Sequence, residues 1–300
     1  MKKVLIYLLA AAMVMFTAGC GADEGTGTET PASLQISLED WPVIDGATAL
    51  APYYEAMAAE LLNMPIEDAR QYVLCSTTDG AYTNLINGTA DMIFCSLPSQ
   101  EQVDEAAANG VEFECTPFLN GGFVFFVNKD NPVDSLTVEQ LYDIYSGEIT
   151  NWKEVGGNDE EIIAYQRSEG SGSQTGIYRY VIPKEEIMPA PTEKMIGDMA
   201  GIIDVVASYE NGAGAIGYSY YYYVANMHYS DQIKLVAVEG VVPSDMTIAE
   251  GTYPLINQSQ VIIRADEPED SVLREIIDWI VSEEGQKLGE ENGYVRNAEL

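Results

Sequence analysis

Three times between Leu34 and Ala108 a short apolar run gives way to a loop of small polar residues and then to a helical pattern. Leu34 to Leu38 alternates like a strand, "DGATALAP" follows, and Tyr53 to Leu62 is rich in Ala, Met, Glu and Leu, as a helix would be. Gln71 to Cys75 reads as a second strand, "STTDG" as its loop and Ala81 to Asn87 as its helix. Asp91 to Cys95, the turn "SLPSQEQ" and a helix over Gln100 to Ala108 repeat the series. Alternation of this kind predicts parallel βαβ units and so an α/β fold. It also puts each Ser/Thr/Gly loop at the carboxyl end of a strand, where open α/β sheets hold their ligands.

The rest of the chain continues the pattern. Gly122 to Val127 is a long apolar strand, and Thr137 is placed to cap a helix running to Tyr145. Ile162 to Tyr165 opens another strand–loop–helix unit. Gly197 to Tyr209 reads as a helix, "NGAGAIGY" as a turn and strand, Lys234 to Val238 as a strand, and "QVIIR" as the strand within Tyr253 to Arg264. In the last helix, from near Ser271, Leu273, Ile276, Ile277, Ile280 and Val281 share one face, with Trp279 beside them as core. Two α/β blocks result. The expected domains are 34–127 with 248–300 and 128–247, joined by two crossovers around a cleft.

The N-terminal segment differs in kind. Lys2 and Lys3 precede an apolar run from Val4 to Phe16, which is short of the ~20 residues that span a bilayer. With small residues before Cys20, residues 1–19 read as a secretory signal peptide. "TAGC" resembles the lipobox of bacterial lipoproteins, with Thr17 where a leucine is usual. That resemblance implies a lipid, such as palmitate, on Cys20. Gly21 to Ser33 has no apolar run, so 20–33 is expected to be a lipid-anchored tether.

Removing residues 1–19 takes away two lysines and no acid, so the net charge of −34 becomes −36. Nucleic acid and anionic membrane surfaces require a basic face and are therefore not expected as partners. Cys75, Cys95 and Cys115 are an odd number for internal pairing. If Cys75 and Cys95 end strands that flank a third, they stand about 10 Å apart, out of disulfide reach. All three are expected to be buried as small hydrophobes. The single histidine, His228, has no companion for a metal site and no nucleophile near it in sequence, and no P-loop or nicotinamide motif occurs. No cofactor, metal or catalytic group is expected.

The chemistry lies in the loops. "QRSEGSGSQTG", Gln166 to Gly176, packs one arginine, three serines and three glycines between a strand and a helix. Helix N-termini present unpaired N–H groups and a partial positive charge. Ser and Thr add hydroxyl donors, and Arg167 adds a permanent charge that grips an oxyanion through parallel hydrogen bonds. Each loop alone reads as helix capping. The loops at 46–48, 76–80 and 168–173 taken with Arg167 read as an anion cradle. "SYYYYV", Ser219 to Val224, is expected to pack the second domain and one lip of the cleft.

The same residues carry a resemblance. "GATALAP" at 46–52, "TDGAYTNLINGTAD" at 78–91 and "RSEGSGS" at 167–173 resemble the ligand loops of the phosphate-binding proteins of bacterial ABC transporters, within the type II periplasmic-binding-protein superfamily. "VNKDNPVDSLTVEQLYDIYSGEITNWKEVGG" at 127–157, "AIGYSYYYYV" at 215–224 and "WIVSEEGQKLGEENGYV" at 279–295 are similar too, so the likeness covers nearly all of residues 34–296. It implies a two-domain type II fold with inorganic phosphate buried between the domains, a monomeric lipoprotein, and delivery to an ABC permease. It implies Thr48, Ala49, Thr78, Arg167, Ser171, Gly172 and Ser173 as ligand residues. Ser96 stands where the family carries an aspartate that accepts the phosphate proton, and Asp45, Asp79 and Glu169 are the carboxylates able to replace it. Another oxyanion or small anionic solute, or an extracellular sensory module, stays open as an alternative.

Overall fold

The computed structural model describes residues 34–190, 194–208 and 213–300. The expected signal peptide, Cys20 and the tether lie outside the described residues. Residues 34–300 form one compact unit. Its strands are β1 (Ile44–Gly46), β2 (Met92–Cys95), β3 (Phe113–Asn128), β4 (Ser135–Leu136), β5 (Ile163–Ala164), β6 (Gln166–Arg167), β7 (Met195–Ile196), β8 (Ala215–Tyr220), β9 (Ile233–Val238), β10 (Ile256–Arg264) and β11 (Val295–Arg296). Its helices are α1 (Ala51–Leu61), α2 (Ile66–Ala69), α3 (Thr77–Asn87), α4 (Gln100–Ala108), α5 (Val138–Ser146), α6 (Gly172–Tyr180), α7 (Met199–Ala207), α8 (Asp245–Ala249), α9 (Val272–Val281) and α10 (Glu283–Glu291).

Among the described residues one mixed sheet runs β1–β2–β10–β3–β8–β5, with β9 and β11 also on β3 and β4 on β9. A separate parallel pair joins β6 to β7. The α/β class expected from the sequence holds, but the sheet is parallel only toward its edges, at β1–β2, β5–β8 and β4–β9. Its centre is antiparallel, because β10 runs against both β2 and β3, and β3 runs against β8 and β9. The cause is the length of β3. Phe113 to Gly122 pairs with β10, and Phe123 to Asn128 pairs with β8 and β9. Its second half, "FVFFVN", is buried throughout, as an unbroken apolar run must be when covered on both faces.

Buried apolar side chains gather on both sides of the point where β3 changes partners. One lobe centres on Tyr53, Phe94, Phe118, Ile276 and Trp279, with a satellite around Tyr82 and Ile93. The other centres on Phe123, Phe125, Tyr145 and Tyr218 and takes in Ile248, Tyr253 and Leu255. Phe125 and Tyr145 each lie about 6 Å from Tyr218, at ring-centroid distances of 6.1 and 5.5 Å. Burying each large apolar side chain stabilises the fold by about 1.5–3 kcal/mol.

The helix ends follow the side chains. Ser99 with Gln102 caps α4, and Thr137 with Gln140 caps α5, each as a reciprocal capping box. Two expected strands are absent. Leu34 to Leu38 is irregular and then turns, and Gln71 to Cys75 contributes only a bridge from Val73 to Ile44. The strand that does form, β1, is only three residues long and wholly buried, so it shows none of the alternation that marks a half-exposed strand.

The lobes touch on both rims. On one, Lys184 pairs with Glu101 at 2.5 Å and Arg179 Nη2 donates to the Pro98 carbonyl at 2.9 Å. On the other, the Tyr222 and Tyr294 rings stack with centroids 3.7 Å apart.

The three thiols among the described residues are free, and Val73 and β2 do flank β1 as the spacing argument requires. Cys95 is buried but Cys75 is exposed and Cys115 half-buried, which corrects the expectation of three buried thiols. Cys75 follows a bridge at the sheet edge and stays exposed, whereas Cys95 is packed among side chains of α3 and β10. Burial pushes the Cys95 thiol well up and the Cys115 thiol up to about 11. Alkylation of the native chain at neutral pH should therefore label Cys75 first, Cys115 slowly and Cys95 only on unfolding. Peptide mapping that finds Cys95 labelled ahead of Cys75 would contradict this packing.

Candidate functional site

Asp45, in β1, is fully buried. Its carboxylate accepts from the Gly46 N–H at 2.7 Å, the Ser76 N–H at 2.8 Å and Asn84 Nδ2 at 2.7 Å. These bonds satisfy the buried charge and tie the loop after β1 to the loop that opens α3. The first loop is held again at its end, where the Tyr294 hydroxyl donates to the Ala49 carbonyl at 2.8 Å. The second contains Thr77 at φ +65°, a left-handed conformation that is an outlier for a β-branched residue. It delivers Thr78, 8% exposed, to the interior.

The third loop belongs to the other lobe. Arg167 lies on β6 and is 4% exposed. Its Nε donates to the Ile196 carbonyl at 2.9 Å, Nη1 to Ser173 Oγ at 3.1 Å and Nη2 to the Gly197 carbonyl at 3.2 Å. Its backbone N–H donates to Gln174 Oε1 at 2.9 Å and to the Tyr218 hydroxyl at 3.1 Å, and Tyr218 in turn donates to Gln174. Ser171 caps α6 by accepting from the Gln174 N–H at 3.2 Å. The guanidinium is thus fixed on three sides by neutral acceptors. Among the described residues it forms no ion pair; burial lowers its pKa from the usual value, and the fields of Tyr218 and of the more distant Asp198 offset this only in part. A buried cation without a counter-charge costs several kcal/mol.

Arg167 opens onto a cavity of about 270 Å³. Thr48, Ala49, Thr78, Ser171, Gly172 and Ser173 line it too, so the three loops singled out in the sequence converge there. Ser96 lines a smaller adjoining cavity instead. Its Oγ is buried and makes no well-aligned hydrogen bond, although the Tyr220 hydroxyl is close enough to interact with it. A concavity of about 1020 Å³ between α4 and α6 is lined by neither Arg167 nor any of these loop residues.

The carboxylates sort themselves by partner. Asp45 is occupied with the three donors above and does not line the cavity. Glu169 lines it but accepts from the Tyr178 hydroxyl at 2.6 Å and pairs with Lys184 at 3.2 Å. Asp198 caps α7, accepting from the Gly201 N–H at 2.7 Å. Asp79 lines the cavity, lies against Gly170 and accepts from Gln102 at 3.3 Å.

Several contributors escape sequence reasoning. Tyr220 lines the cavity and donates to the Gly172 carbonyl at 2.7 Å, which makes one member of the tyrosine run a site residue. Gln174 and Tyr218 act on Arg167 through its backbone. The carbonyls of Ile196 and Gly197 come from a segment with no motif. The tyrosine run is the signal that could have found Tyr220; for the others only the fold brings them together.

Gly172 joins the two halves of the site. A Cβ there would stand 2.9 Å from Thr78 Oγ1 and 3.1 Å from Ser96 Oγ, both on the opposite lobe. Gly172→Ala should therefore weaken anion binding by about tenfold or more, equivalent to about 1.4 kcal/mol. Without ligand its stability should hold or rise by up to about 1 kcal/mol, since alanine is the better helix former. Calorimetry and chemical denaturation separate these effects, and equal anion affinity in the variant would show that this contact does not govern closure.

Known proteins share this fold. The chain is 25% identical over 297 residues to a phosphate-binding protein PstS of Bacillus subtilis (strain 168), covering 98% of this chain and 94% of the relative. A PstS of Staphylococcus saprophyticus is 27% identical over 261 residues, covering 84% and 78%. An ABC-type phosphate transport receptor from Vibrio cholerae superposes with a TM-score of 0.65 at 26% identity, covering 85% of this chain and all of that one. A protein from Clostridium perfringens, assigned as a phosphate ABC transporter substrate-binding protein and solved with bound phosphate, superposes at 0.67 with 25% identity, covering 85% and 99%. The model of the PBP superfamily domain matches residues 28–284, and the chain belongs to that superfamily.

Proposed function

We propose that this chain is an extracytoplasmic binding protein that captures inorganic phosphate between its lobes and presents it to an ABC permease. The observation that carries the reading is Arg167: a buried guanidinium, paired with no carboxylate, facing a cavity edged with hydroxyls. An oxyanion supplies the missing counter-charge. Thr48, Ala49, Thr78, Ser171, Gly172 and Ser173 would surround it with donors, with Ser96 at the rear wall. The names of the similar proteins favour phosphate among oxyanions.

Most of residues 34–127 with 248–300 would form one domain and 128–247 the other, with residues 123–127, Ile248, Tyr253 and Leu255 packing into the second and hinge closure burying the ligand. Cys20 would carry the lipid and 20–33 the tether, so that a monomer works beside the membrane. A binding role needs no catalytic group.

Calorimetry with phosphate, sulfate and molybdate tests the ligand. Phosphate should bind at neutral pH, and its failure to bind would overturn the reading. Arg167→Ala should cost about 3–5 kcal/mol of binding energy, because the anion then lies buried without its counter-charge. A loss below about 1 kcal/mol would remove Arg167 from the site.

Net charge makes a separate prediction for rates. The chain carries −34 overall, so a dianion approaches against repulsion that salt screens over about 8 Å. Stopped-flow association should therefore quicken as salt is added. A clear fall would show that a local positive field, not the net charge, governs encounter.

A further inference from the structure

The smaller cavity, about 40 Å³, lies where the loop after β1 meets β3 and β10. It shares Ala47, Ala49, Thr78 and Tyr220 with the anion cavity. Its polar lining is rich in acceptors that have nothing to accept. Asn257 of β10 is 7% exposed, and its Oδ1 is buried without a hydrogen-bond partner. Asn120 Oδ1, on the neighbouring β3, is buried and unpartnered as well, and Ser96 Oγ, within reach of the Tyr220 hydroxyl, lies beside them. Each unsatisfied buried acceptor is costly, and two on one small cavity call for an occupant that donates. The Tyr222–Tyr294 stack forms another part of the wall. No basic residue lines this cavity to repel a cation.

We propose that this cavity is a subsite for a short aminoalkyl arm carried on the phosphorus of the ligand. The phosphoryl oxygens would sit on Arg167 and the three loops, and the ammonium would donate to Asn257, Asn120 and Ser96. The ligand class is an aminoalkyl phosphonate or a phosphate ester of a small amino alcohol. The room suits one to a few heavy atoms, since one water takes about 30 Å³ of liquid volume, and it excludes a sugar. The inference rests on the oxyanion reading of the main site and extends the ligands of that site beyond inorganic phosphate.

Calorimetry on the full chain with inorganic phosphate, aminomethylphosphonate, methylphosphonate and phosphoethanolamine tests it. Aminomethylphosphonate or phosphoethanolamine should bind about tenfold or more tighter than methylphosphonate, which has no donor on its arm. Which of the two binds better tells a phosphonate source from an ester. Asn257→Leu should abolish that preference while phosphate affinity stays within about threefold. Asn120→Leu serves the same purpose if the first variant does not fold.

If phosphate binds and neither amino ligand does, or if methylphosphonate equals them, the subsite is overturned and the cavity takes water alone. An equal loss of phosphate and amino-ligand affinity in both variants would also overturn it. Failure of phosphate itself would bring down the oxyanion reading, and the subsite with it.

Discussion

A positive charge held out of water without a partner organises this molecule. Arg167 is held by carbonyls, a serine hydroxyl and its own backbone contacts, and none of these neutralises it. In water the guanidinium would be solvated, and burying it without an ion pair costs several kcal/mol. The lobes contribute different things to its surroundings. One brings the charge and the N-terminus of α6, and the other brings Thr78 and the loop after β1. A site divided in this way is complete only while the lobes are together.

The second constraint is a negative charge that is fully satisfied. Asp45 is as buried as Arg167, but three donors surround it, two of them backbone N–H groups from different loops. It behaves as a structural tie rather than a ligand group. The contrast explains why a carboxylate count says little in so acidic a chain. What separates Asp45, Glu169, Asp79 and Asp198 is which donors each already has.

Much of this was legible in the sequence, for reasons that differ by element. Thr137 was readable as a cap because capping is local. Arg167, Ser171 and Ser173 stood out because a fixed charge among small donors at a strand-to-helix junction has few other uses. β1 was not readable, because a three-residue strand buried on both faces has no period to detect. The antiparallel centre was hidden as well, since it depends on β3 and β10 pairing across more than a hundred residues of chain. The grip of Tyr218 and Gln174 on the backbone of Arg167 belongs to the same class, a contact that exists only after folding.

The course of β3 has a mechanical meaning. At Asn120-Gly121-Gly122 it leaves β10, and from Phe123 it joins β8. The lobes are therefore not beads on a loose string. They are two ends of one hydrogen-bonded ribbon, which twists far more readily than it stretches or shears. Such a ribbon restrains how one lobe can move against the other, and so holds the register of Gly172 against Thr78 and Ser96. The spacing of the loops around the Arg167 cavity is thus inherited from the stiffness of a strand that does not line it.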